Sequence, residues 1–133
     1  MTFVDTSAWF SAYVPTDPFY HRMRTILFGA GRLVTTDYVL DETLTLKRTR
    51  GHFDRALHFG PHILEQRVTV LEYVKSTDVA QAWIEFSRFR DKAWSFTDCT
   101  SYVVMKRLSI TNAVSLDDHF RQMPGIAVAT IAP

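Results

Sequence analysis

Residues 2–13 read Thr-Phe-Val-Asp-Thr-Ser-Ala-Trp-Phe-Ser-Ala-Tyr, and this run alone predicts a strand, a cap and a helix. Residues 2–5 suit a short buried strand that ends on an acid, Asp5. Thr6 and Ser7 bring hydroxyls able to cap the helix that follows over residues 8–13, and Pro15 stops it. The same alternation continues outward. Asp17-Pro18 opens a helix to about Phe28, since proline is tolerated at a first helical position, and Gly29 and Gly31 end it. Residues 32–35 are a second strand. A Thr36 or Asp37 cap starts a helix to about Arg50, closed by Gly51. Residues 52–59 and 62–66 read as helical pieces broken by Gly60-Pro61. The run 68–73, rich in β-branched residues, is the third strand. Residues 78–90 form a helix with Val79, Trp83 and Phe86 at helical spacing. Residues 97–108 are apolar on most sides and suit a helix deep in the core. Residues 113–116 are a fourth strand, 117–123 a short helix and 126–129 a last strand. Strands alternating with helices predict an α/β fold, a parallel sheet of about five strands flanked by helices on both faces.

Composition narrows the classes. A chain of 133 residues suits one domain spanning 1–133, large enough to bury a core without staples. Apolar residues at 47% and charged residues at 22% are those of an ordinary globular chain. The single Cys99 excludes an internal disulfide and a cysteine-based zinc site. No uncharged stretch reaches the ~20 apolar residues of a membrane span. The start Met-Thr-Phe-Val-Asp lacks signal-peptide features, so a cytoplasmic location and no membrane partner are expected. With a net charge of +1 the overall field does not recruit polyanions. A nucleic-acid partner needs a local patch or bound metal.

Ligands of open parallel sheets bind beyond the carboxyl ends of the strands. Asp5 ends strand one, Asp117 and Asp118 follow strand four, Asp98 opens the buried helix and Glu42 lies on the helix after strand two. Each has a structural use as well. Asp5 and Asp117 could start helices, Asp98 could complete a Ser95–Asp98 capping box and Glu42 could face solvent. Brought together, uncompensated carboxylates would repel and some would stay protonated, unless a divalent cation sat between them. Oxygen donors suit Mg²⁺ or Mn²⁺, ions that work on phosphate esters.

Four blocks occur in order: Phe3-Val4-Asp5-Thr6-Ser7, Val39-Leu40-Asp41-Glu42, Ser95-Phe96-Thr97-Asp98-Cys99 and Leu116-Asp117-Asp118-His119-Phe120. They resemble the signature blocks of PIN-domain ribonucleases, and most closely those of the VapC-type toxins of bacterial toxin–antitoxin pairs. The resemblance covers essentially the whole chain. It implies a PIN-like three-layer fold and metal-dependent endoribonuclease activity with Mg²⁺ or Mn²⁺. The catalytic and metal-holding acids it implies are Asp5, Glu42, Asp98 and Asp117, supported by Thr6, Ser7 and Thr97. Asp118 and Asp41 stand beside two of these acids as alternatives, and Asp117 fits the Asp-x-x-Phe pattern closed by Phe120. The implied reaction is in-line hydrolysis to a 5′-phosphate and a 3′-hydroxyl. The implied partners are RNA (tRNA, rRNA or mRNA), a VapB-like antitoxin and a second copy in a homodimer. The helices over 13–28 and 52–66 are candidate partner surfaces.

Basic residues offer RNA contacts. Lys47, Arg48 and Arg50 end the Glu42 helix, Arg88, Arg90 and Lys92 precede Asp98, and Lys106 and Arg107 end its helix. Cations also favour helix carboxyl ends for structural reasons. Trp9, Phe10, Tyr13, Trp94 and Phe96 could stack bases or fill the core. His58 and His62 are four apart, but the expected break at Gly60-Pro61 argues against a zinc pair. Cys99 and His119 could form a nucleophile pair, although packing explains Cys99 better. A receiver-type domain would place paired acids after the first strand and a lysine after the last, and this chain has neither. A catalytically silent PIN module for RNA binding or assembly is the first alternative reading, and a Mg²⁺-binding receiver-like signalling domain the second.

Overall fold

A computed structural model describes residues 1–129 and 131, so the expected domain end at residue 133 lies outside the described residues. Five strands form one sheet: β1 (Thr2–Val4), β2 (Leu33–Thr36), β3 (Val70–Glu72), β4 (Asn112–Val114) and β5 (Ala127–Val128). Their order is β3-β2-β1-β4-β5, and every pair is parallel. Six helices connect them: α1 (Thr6–Ala12), α2 (Tyr20–Gly29), α3 (Asp37–Thr49), α4 (Phe53–Leu64), α5 (Ser76–Arg88) and α6 (Phe96–Arg107). The chain leaves β1 toward β2 and β3, then crosses to build β4 and β5 on the other side. Right-handed crossovers therefore place the first and second sets of helices on opposite faces. The order reverses between β1 and β4, which makes their carboxyl ends the switch point of the sheet.

The core explains the central strand. Phe3 and Val4 are fully buried, and Phe3 stacks on Phe120 at 6.1 Å. Trp9 is fully buried too, but its indole N–H is satisfied. It donates to Thr35 Oγ1 at 3.1 Å, and Thr35 in turn donates to the Val4 carbonyl at 3.0 Å. One side chain thus ties α1 to β1 and β2. Helix α6 is buried continuously from Asp98 to Met105, as its all-round apolar pattern predicts.

Several local expectations are corrected. Helix α4 runs through Gly60-Pro61 without a break. Pro61 forfeits one backbone donor, but Ala56, Phe59, Gly60 and Ile63 are buried along the helix, and that burial outweighs the loss. Helix α2 starts at Tyr20, because Asp17 is spent on a turn in which its carboxylate accepts the Phe19 N–H at 2.8 Å. The short helix expected over 117–123 is a single 3-10 turn, Phe120–Gln122. On α5 the inward face carries Asp78, Ala82 and Glu85, while Trp83 and Phe86 point outward. The cause is Arg107 at the end of α6. Its guanidinium grips Asp78 with two bonds of 2.9 Å and Glu72 with one of 2.9 Å. That residue is a structural tie between α6, α5 and β3, and is not available to bind phosphate.

Candidate active site

The carboxyl ends of β1 and β4 border a cleft of about 400 Å³ lined by Asp5, Thr6, Ser7, Glu42, Leu46, Ser95, Asp98, Asp117 and His119. Each acid is placed by a local rule. Asp5 ends β1 and is only 3% exposed. It occupies the N-cap position of α1, yet its side chain caps nothing. Instead its Oδ2 accepts the Ser115 hydroxyl at 3.0 Å, with Ser7 Oγ at 3.5 Å. Ser7 also receives the Leu116 N–H at 2.9 Å and lies 3.2 Å from Ser115 Oγ. The loop after β4 is thereby stitched to the end of β1.

Asp98 is buried at the start of α6, where Ser95 and Asp98 form a reciprocal capping box with bonds of 3.0 Å each way. The cap and the cleft-lining carboxylate are the same residue, so the structural use aims the functional group. Glu42 sits one turn into α3, whose amino end is capped by Thr36 through a 3.1 Å bond to the Val39 N–H. Asp117 accepts the His119 backbone N–H at 3.0 Å, which closes a tight turn. Asp118 points away, 88% exposed and 3.8 Å from Arg121. Asp41 and Thr97 line a neighbouring hollow with Glu42 rather than the cleft itself.

The electrostatics are those of a site awaiting a cation. Burial pushes the Asp5 carboxyl up to about 7, and the charges of Asp98 and Glu42 add to the rise. Thr6 Oγ1 is buried in the cleft wall without a hydrogen-bond partner. Asp98, Asp117 and His119 offer three ligand atoms within 4.8 Å of one another. An orphaned hydroxyl, a carboxyl whose pKa is raised chiefly by burial and a close donor set together fit a divalent metal.

Two contributors escaped the sequence reading. Ser115 carried no signal, since only the pairing of β4 beside β1 delivers it to Asp5. His119 was weighed only as a partner for Cys99. Its Nδ1 instead lies 2.8 Å from Asp98 and 3.3 Å from Asp117. Burial pushes the Cys99 thiol up to about 11, so it is packing. His58 and His62 do come together on the unbroken α4, with ring centroids 4.8 Å apart, but His62 is bonded to the Tyr13 hydroxyl at 3.0 Å.

The basic residues fall outside the cleft. Arg48 lies over the Phe53 ring and Arg50 over Phe10. Lys92 borders a hollow with Trp83, Phe86, Arg90 and Trp94. Lys47 is fully buried among the Phe10, Tyr13 and Phe59 rings, and its ammonium has no hydrogen-bond acceptor. It cannot touch RNA. Of the aromatic candidates, Trp9, Phe10, Tyr13 and Trp94 are core residues.

The family model of the PIN domain matches residues 2–126. The chain belongs to the PIN-domain family. Two curated relatives from Mycobacterium tuberculosis, strains CDC 1551 / Oshkosh and H37Rv, are each described as 23S rRNA-specific endonuclease VapC20. Both are 34% identical over 122 residues, covering 90% of this chain and 92% of theirs. A crystal structure of M. tuberculosis VapC20, described as a sarcin-ricin loop cleaving toxin, superposes with a TM-score of 0.84 at 28% identity. It covers 91% of this chain and 93% of that one. The PIN domain described here has the same α/β architecture, and its acidic cleft lies at the β1–β4 switch point of its own sheet. No helix among its described residues is long and apolar enough to cross a membrane.

Proposed function

We propose that this PIN domain is a VapC-type endoribonuclease that cuts RNA with the help of Mg²⁺ or Mn²⁺. The observation that carries the reading is the convergence of Asp5, Glu42, Asp98 and Asp117 on one cleft at the β1–β4 switch point. A divalent ion bound there would activate water and stabilise the charge on the phosphoryl and leaving oxygens, giving a 5′-phosphate and a 3′-hydroxyl. The chain's own part is to hold the donors. Ser115 and Ser7 orient Asp5, the Ser95 cap orients Asp98, and the turn at His119 orients Asp117. Thr6 lines the cleft, and its buried hydroxyl has no hydrogen-bond partner within the protein.

The relatives point to ribosomal RNA, and the sarcin–ricin loop is the first substrate to try. The proposed partners are a VapB-like antitoxin and a second copy of the chain. Apolar side chains exposed on α2 (Phe28) and α4 (Phe53, Leu57, Leu64) suit the antitoxin. The cytoplasm is the corresponding location. Purified protein is incubated with 23S rRNA and a tRNA pool, with Mg²⁺, Mn²⁺ or EDTA. Metal-dependent cuts bearing 5′-phosphates are expected, and Asp98→Asn should reduce their rate about a hundredfold or more. Cleavage that persists in EDTA or in the variant would overturn the reading.

A further inference from the structure

Among the polar side chains lining the cleft, His119 alone offers nitrogen where the others offer oxygen. Its placement is over-determined. Its backbone N–H is fixed on Asp117, and its ring projects into the cleft at 28% exposure. Nδ1 then lies 2.8 Å from one oxygen of Asp98 and 3.3 Å from one of Asp117. Ligands about 2.1 Å from an octahedral ion are about 3.0 Å from their neighbours around it. The two separations bracket that edge length. Asp98 Oδ2 already accepts the Ser95 N–H, so this carboxylate is positioned without the imidazole. The orphaned Thr6 hydroxyl in the same cleft independently marks a place for a ligand.

We propose that His119 Nδ1 enters the coordination shell of the metal beside Asp98 and Asp117, and that this nitrogen makes the site prefer Mn²⁺ to Mg²⁺. Mg²⁺ favours hard oxygen ligands, whereas imidazole favours first-row transition ions. The inference rests on the metal-nuclease reading and refines it.

The test is pulsed electron paramagnetic resonance of the full chain loaded with Mn²⁺, with Mn²⁺ and Mg²⁺ affinities measured alongside. A directly bound ¹⁴N signal is expected, converting to ¹⁵N in protein made with ¹⁵N-histidine. In His119→Gln the signal should vanish, and the Mn²⁺-over-Mg²⁺ preference should fall about tenfold. The isotope exchange needs no mutation, so a poorly folded variant does not spoil the result. An oxygen-only spectrum from Mn²⁺ whose binding requires Asp98 would overturn the proposal while leaving the nuclease reading intact. A nitrogen signal that survives His119→Gln and disappears in His58→Gln would overturn it as well. Absence of any Mn²⁺ or Mg²⁺ binding would overturn both.

Discussion

Asp5 has the least comfortable environment in the cleft, and its discomfort is measurable. Its folded-state pKa is raised from 3.8 to about 7, chiefly by burial. Without metal the folded protein keeps this proton while the unfolded chain releases it. Stability is therefore favoured below pH 4 and declines as pH rises to about 7. Asp5→Asn removes the buried charge but keeps the shape. In EDTA at pH 8 the variant should melt higher than the parent, by about 5 °C, and this advantage should vanish at pH 4. Cleavage should fall about a hundredfold. Thermal melts at the two pH values check the first part, and an equal advantage at both would refute the electrostatic cause. At this scale the sequence was legible where a motif named a residue, as for Asp5 and Asp98. It was silent on Ser115 and His119, whose roles come from contacts across the sheet.

At the scale of the element, α3 illustrates how one helix can serve two purposes. Glu42 faces the cleft, and Lys47, little more than a turn later, is sealed among aromatic rings. From sequence, a lysine near a helix carboxyl end looks like a surface cation, and nothing local distinguishes it from Arg48. Burial, with the charge of Arg55, lowers the Lys47 pKa to about 8, against 10.5 in the unfolded chain. The folded state thus carries an awkward charge below pH 8, and stability recovers as pH rises from 8 toward 10.5. Lys47→Met should stabilise the protein by about 1–2 kcal/mol at pH 7, less whatever the lost cation–π contacts contributed. Denaturant unfolding should show that gain shrinking by pH 10. A gain that grows with pH would contradict the assignment. On α5 the helical spacing of Trp83 and Phe86 is real, yet it faces outward. The inward face is organised by the Arg107 bridge, a long-range pairing that periodicity cannot reveal.

At the scale of the whole molecule, the alternation of strands and helices was enough to read a parallel sheet and to place ligands at its carboxyl edge. Strand order was not readable, and it is strand order that decides which acids meet. The assembled cleft should couple metal binding to folding. A hundredfold excess of Mn²⁺ over its Kd should add about 2.7 kcal/mol of stability. The effect should be larger at pH 8 than at pH 5, where the Asp5 proton competes with the cation. Melting curves with and without Mn²⁺ test this, and a pH-independent shift would place the ion elsewhere. The bond from Ser115 to Asp5 spans 110 residues, and β4 must slot in beside β1. During synthesis the cleft is therefore only half built until β4 has emerged and paired. A partly folded chain without β4 in place should be unable to cut RNA, so the proposed activity is withheld until that long-range pairing is made.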